Sequence, residues 1–148
     1  MSKSPVSIAA VCLSITSCDQ EAEIPPVSAV ASFELPGCEK YTQEPLVEGY
    51  CRMVWAPTLE SPAQMQESCA RAGKWEGPCR AAWLESKMEG SWGAQQSHYD
   101  LLSLCESSEE CALTVLKTRT DPSIQNQLRL CQEHTGTLVN DCATHSLQ

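Results

Sequence analysis

The chain has 148 residues, with 19 acidic against 10 basic side chains and a formal net charge of −9. One domain is the natural count at that length. The acidity disfavours nucleic-acid binding and charge-driven docking on anionic headgroups, because both partners are themselves negative.

Residues 1–17 have the parts of an export signal. Lys3 is the positive end, and Val6 to Leu13 form an apolar run that stops before Cys18-Asp19-Gln20-Glu21. A membrane span needs about 20 apolar residues, and this run is far shorter. Behind it, Ile15-Thr16-Ser17-Cys18 resembles the lipobox of bacterial lipoproteins: an aliphatic residue, two small residues and the cysteine that takes the lipid. The resemblance covers residues 1–18 only. It implies cleavage before Cys18, a diacylglyceryl thioether on its sulfur, and a cell-envelope location on the periplasmic or surface side. Two other readings stay open. One is ordinary secretion with cleavage after Ala29-Val30-Ala31, which places Asp19, Glu21, Glu23 and two prolines ahead of the cut. The other is a cytosolic N-terminus.

Residues 18–37 carry Glu21, Glu23, Pro25-Pro26 and several small residues with no helical or strand period. That composition predicts a flexible, lipid-anchored tether. The folded domain is then 38–148.

Helix start and stop signals recur along that domain. Val47, Tyr50, Cys51, Val54 and Trp55 form a helical stripe that Pro57 ends. Ser61-Pro62-Ala63-Gln64 is a cap, a first-turn proline and a capping-box glutamine. It opens a helix with Met65, Cys69 and Ala72 on one face, stopped at Gly73. Gly77-Pro78 predicts the next start, with Cys79, Ala82 and Trp83, ending near Glu89-Gly90. Ser97 with Asp100 caps a segment bearing Leu101, Leu104 and Cys105, and Ser107 with Glu110 caps one bearing Cys111, Val115 and Leu116. Asp121-Pro122 starts a helix with Ile124, Leu128 and Cys131, and Thr137 to Asn140 leads into Cys142. β-branched alternation is nearly absent. The pattern predicts an all-α domain: a disulfide-stapled array of short helical hairpins, with about six or seven helices.

The cysteines argue for the staples. Ten are present, and no two are separated by fewer than five residues. Structural zinc sites bring cysteines about two to four residues apart so that one turn presents two ligands, and no such pair exists. Setting aside Cys12 in the signal and Cys18 leaves eight: Cys38, Cys51, Cys69, Cys79, Cys105, Cys111, Cys131 and Cys142. An even number on the apolar faces of short helices fits four disulfides in an oxidising compartment. Consecutive cysteines flank predicted turns, which favours nearest-neighbour pairing. Short helices are marginal alone, so the staples replace core volume that the low aromatic content does not supply.

Catalytic and cofactor signatures are missing. There is no Cys-x-x-Cys-His haem site, no adjacent cysteine pair, no Gly-rich phosphate loop, no Gly-x-Ser-x-Gly and no His-Glu-x-x-His. Cys69 and Cys79 have the spacing of mitochondrial coiled-coil-helix proteins, but Gly73, Gly77 and Pro78 break the shared helix. His98-Tyr99-Asp100 is the nearest approach to acid–base machinery, yet neighbours on a helix point to different faces. His134 and His145 fall near predicted helix C-termini, where an imidazolium suits the dipole. The acids Glu106, Glu109 and Glu110 suit a helix N-terminus better than a calcium loop. Trp92, between Gly90-Ser91 and Gly93, is the candidate partner contact, or else a lid folded onto the core.

The sequence therefore predicts an exported, lipid-anchored envelope protein acting as a structural or protein–protein interaction module, with no enzymatic activity, metal or cofactor. Its expected partners are an envelope protein and, through Cys18, the membrane. The competing expectation is a small secreted enzyme or ligand-binding protein using His98 or His134 in a cleft.

Overall fold

A computed structural model describes residues 37–148; the predicted signal, Cys18 and nearly all of the predicted tether lie outside the described residues. Eight α-helices form within that range, with no strand: α1 Pro45–Trp55, α2 Pro62–Ala70, α3 Glu76–Met88, α4 Ser91–Ala94, α5 His98–Ser103, α6 Glu109–Thr118, α7 Ile124–His134 and α8 Val139–Ser146. Single 3-10 turns at Glu39–Tyr41, Ala56–Thr58, Gly73–Trp75 and Gly136–Leu138 connect or precede them. The domain is all-α and disulfide-stapled.

Local chemistry sets most boundaries. The Ser61 hydroxyl accepts from the Gln64 N–H and the Gln64 side chain returns to the Ser61 backbone; Ser97 and Asp100 do the same for α5. Three starts differ from the sequence expectation. α3 begins at Glu76, ahead of Gly77-Pro78, so that Pro78 sits in the first turn where its missing N–H costs nothing. Ser108, not Ser107, caps α6, accepting from the Cys111 N–H. Ser123, not Asp121-Pro122, caps α7 by accepting from the Asn126 N–H, while Asp121 accepts from the Ser123 N–H at 2.8 Å. The four-residue α4 carries no periodic signal and was not expected.

Helix α3 is the hub. It packs on α1, α2, α4 and α6, and α6 in turn carries α5, α7 and α8. Leu59, Met65, Trp83, Leu84, Leu101, Val115, Leu116 and Leu130 make the core, together with most of the cysteines. The Trp83 indole donates to the Leu59 carbonyl at 3.0 Å, so the largest core side chain buries no unpaired polar atom. Arg80, almost wholly buried, ties α3 to the α5–α6 turn through the Leu104 carbonyl (2.9 Å) and Glu106 (2.8 Å), with Glu76 at 2.9 Å completing its shell.

Four disulfides link Cys38–Cys51, Cys69–Cys79, Cys105–Cys111 and Cys131–Cys142, the nearest-neighbour pattern. Each closes a turn between consecutive segments. Such a link typically contributes about 2 to 4 kcal/mol by restricting the unfolded chain, and disulfides of this kind persist in oxidising compartments. Contrary to the sequence pattern, the cysteines do not all lie on helices: Cys105 falls just past α5, Cys38 precedes α1, and α4 and α5 hold none.

Candidate functional site

Helix α1 forms where the sequence predicts a helix, but of its predicted stripe only Cys51 packs against the core, in the disulfide with Cys38. Val47, Tyr50, Val54 and Trp55 face outward, joined by Leu46. Leu46 is 61% exposed, Val47 40%, Tyr50 51%, Val54 53% and Trp55 47%. These positions, spaced one, four, eight and nine residues after Leu46, share the outward side of the helix. The side turned to the core carries Glu48, Gly49 and Arg52.

Two features force that rotation. A Cβ at Gly49 would land on the Ala72 carbonyl and press the Trp75 ring, so only glycine lets α1 approach the Gly73–Trp75 turn this closely. Beside it, Arg52 is fully buried and meets its demands locally. Its Nε and Nη2 donate to Glu48 Oε1 at 2.9 and 2.7 Å, and Nη1 reaches Ser68 Oγ at 3.4 Å. Arg71 adds a further donor to the same oxygen at 3.2 Å. A buried charge is tolerable only when paired and hydrogen-bonded in this way.

The outward face has aromatic and cationic company. The Tyr50 ring meets Trp75 edge-on with centroids 5.4 Å apart, and Lys74 Nζ stands 5.2 Å above the Trp75 ring. On the preceding turn, which packs against α1, Lys40 Nζ lies 4.9 Å from the Tyr41 centroid. The Trp75 indole N–H is buried without a hydrogen-bond partner among the described residues. Of the eight large hydrophobic side chains that are exposed in the described range, five belong to α1. A cluster of that kind is what distinguishes an interaction site from scattered surface leucines.

The other sequence candidates are placed differently. Trp92 does not stand out on a loose loop. It sits in α4, half-buried, with its ring edge-on to Trp83 at 5.2 Å. Gly93 beside it is held by close approach to the Met88 backbone, where a Cβ would collide. Trp92 thus covers the core as a lid.

The histidines do not converge. His98 Nε2 donates to the Arg119 carbonyl at 2.8 Å, with Nδ1 4.0 Å from Asp121 Oδ2. His145 Nε2 lies 3.1 Å from the Lys117 carbonyl. Both side chains therefore serve the C-terminal end of α6, where orphan carbonyls need donors. His134 ends α7 and lies 3.9 Å from Glu133. The Ser123 N–H, then the Asn126 amide, hold the Asp121 carboxyl below the usual carboxylate range; desolvation opposes this, while His98 and Arg129 lower it slightly further.

Two surface clefts stand out among the described residues. One of about 180 Å³ has buried Arg80 in its wall, but Glu76 and Glu106 already occupy that guanidinium. The other, about 410 Å³, is bordered by Asp121, Ile124, Gln127 and His145. Its Gln127 amide is spent on the Leu116 carbonyl and the Asp121 N–H. Among the described residues no three metal-ligating side chains come together, and no helix is long and apolar enough to cross a membrane.

The periodicity of α1 made the stripe visible in sequence. Its outward direction was not, because that depends on Gly49 and Ala72, which meet only in the fold. Comparison of the chain with protein-family models, curated proteins and solved structures finds no match.

Proposed function

We propose that this chain is an exported cell-envelope lipoprotein, anchored by a lipid on Cys18, whose stapled helical domain works as a structural or protein–protein interaction module and not by catalysis. The observation that carries the reading is the fate of the cysteines. All eight in 38–148 are consumed in disulfides, which leaves no free thiol in the domain to act as a nucleophile or to bind a metal. Such a domain suits an oxidising compartment, and the lipobox-like Ile15-Thr16-Ser17-Cys18 supplies a route to one. His98, one of the two histidines of the competing expectation, supports the same reading, since it is engaged at the end of α6.

Metabolic labelling tests it. Cells expressing the chain and fed a labelled fatty acid should yield labelled protein, and Cys18→Ser should abolish the label. A wild-type chain that never takes up the fatty acid, or a Cys18→Ser chain that still does, overturns the lipoprotein reading. Intact-mass measurement after alkylation should find no reactive thiol among the eight domain cysteines.

A further inference from the structure

We infer that the outward face of α1 seats on the headgroup region of the bilayer that the Cys18 lipid enters, so that the domain lies on the membrane by this face. The inference deepens the lipoprotein reading and rests on it.

The chemistry of the face is interfacial. Leu46, Val47 and Val54 supply an apolar strip, while Tyr50 and Trp55 present rings that are apolar in the body and polar at the tip. Residues of this kind concentrate at the level of lipid headgroups. Trp75 extends the strip through Tyr50, and Lys74 above its ring places an ammonium at the rim. Amphipathic helices that lie in the interface plane carry the same elements: an apolar face, aromatic rings and flanking cations.

A lipid on Cys18 would bring the bilayer within reach of this face. The Cys38–Cys51 disulfide fastens the start of the domain to the middle of α1. Gly37 follows Cys18 by nineteen positions. At no more than about 3.6 Å per residue, that stretch spans at most roughly 70 Å in any conformation. A lipid on Cys18 would therefore confine α1 near the surface, and confinement makes a weak apolar contact effective through local concentration.

Charge then selects the headgroup. The chain carries a net −9, and the one acid in the middle of α1, Glu48, is turned inward and paired with Arg52 and Arg71. The face is fitted to zwitterionic lipid, and the net charge opposes an anionic surface.

The test separates this inference from the reading it rests on. In the full chain with Cys12→Ser, Cys18 is the sole free thiol and can be coupled to a maleimide-headgroup phospholipid in phosphatidylcholine vesicles. This bypasses the natural modification. A nitroxide placed near the headgroups should quench the tryptophan emission, and Trp55→Phe should remove most of that quenching. Val47→Glu with Val54→Glu should also remove it while leaving the circular dichroism of the helices unchanged, since both positions are already exposed. Replacing part of the phosphatidylcholine with phosphatidylglycerol should weaken the quenching at low salt. A coupled wild-type chain whose Trp55 is not quenched overturns the inference and leaves lipidation untouched. So does a dimer in vesicle-free solution that Val54→Glu dissolves, which would make the face a contact between copies. Failure of fatty-acid labelling at Cys18, by contrast, strikes the lipoprotein reading itself.

Discussion

Helices α1 and α7 are each eleven residues long and amphipathic, yet they are mounted oppositely. α7 follows the ordinary rule over its second half: Leu130 and Cys131 go inward with Gln127, whose amide donates to the Leu116 carbonyl and accepts from the Asp121 N–H, while Arg129 and Glu133 face water. Of its predicted apolar face, Ile124 is exposed and Leu128 only part-buried. α1 turns Glu48, Gly49 and Arg52 inward and leaves its large apolar side chains outside. The contrast teaches that periodicity locates a stripe without saying which way it points. In α7 apolar burial decides, at roughly 25 cal/mol for each Å² removed from water. In α1 a close backbone approach at Gly49 and a satisfied ion pair decide instead.

The sharpest way to break that contrast is at the ion pair. Arg52→Met should leave Glu48 buried with the half-exposed Arg71 as its remaining cation. We expect a loss of about 3 kcal/mol, at the low end for a broken buried pair, read as a shift in the urea midpoint. Adding Glu48→Leu should restore most of it, because an apolar pair of similar volume often replaces a buried salt bridge at little cost. If the single change costs under about 1 kcal/mol, the pair does not hold α1 in place.

A matched pair of truncations compares the two helices directly. Leu130→Ala removes a fully buried side chain and should cost about 2 to 4 kcal/mol. Val54→Ala, on the outward face of α1, should stay within about 0.5 kcal/mol. Equal costs would mean that the α1 stripe is buried after all.

Acid provides the smallest effect. The Ser97 hydroxyl, then the Ser97 N–H, hold the Asp100 carboxyl below the usual carboxylate range, and Asp121 is lowered by the Ser123 N–H and the Asn126 amide. A carboxyl depressed by folding adds stability that is present above its unfolded pKa and lost as pH falls through its folded one. The starts of α5 and α7 should therefore keep their amide protection down to about pH 4 and lose it progressively below, with both carboxyls titrating beneath the ordinary value of about 3.9. An Asp100 or Asp121 midpoint at or above that value, read by NMR, contradicts the cap geometry. α1 has no such contribution at its start, since its N-cap, Glu44, makes no side-chain cap.

Several elements could be read from single stretches because their chemistry is local. The Ser61–Gln64 and Ser97–Asp100 boxes are formed where the sequence places them, since a cap needs only a short polar side chain and a nearby N–H. The pairing of neighbouring cysteines follows from turns too short to offer a better partner. Misplaced starts at Ser107 and Asp121 have the same origin. Adjacent serines or an aspartate two residues early compete for one cap, and only the backbone path selects Ser108 and Ser123. Trp92 was legible as a tryptophan between small residues, but its place as a lid depends on Trp83, nine positions away on another helix.

The sequence by itself determined the helical class, the staples and most residues of the α1 stripe, because capping, periodicity and cysteine spacing act over one turn or one loop. Only the tertiary structure decided that the stripe faces outward. That outcome requires the Ala72 carbonyl to meet Gly49, and Ser68 and Arg71 to join Glu48 and Arg52. Those contacts bridge α1 to α2 and the residues just beyond it, and no pattern within eleven residues encodes a backbone that arrives from another element.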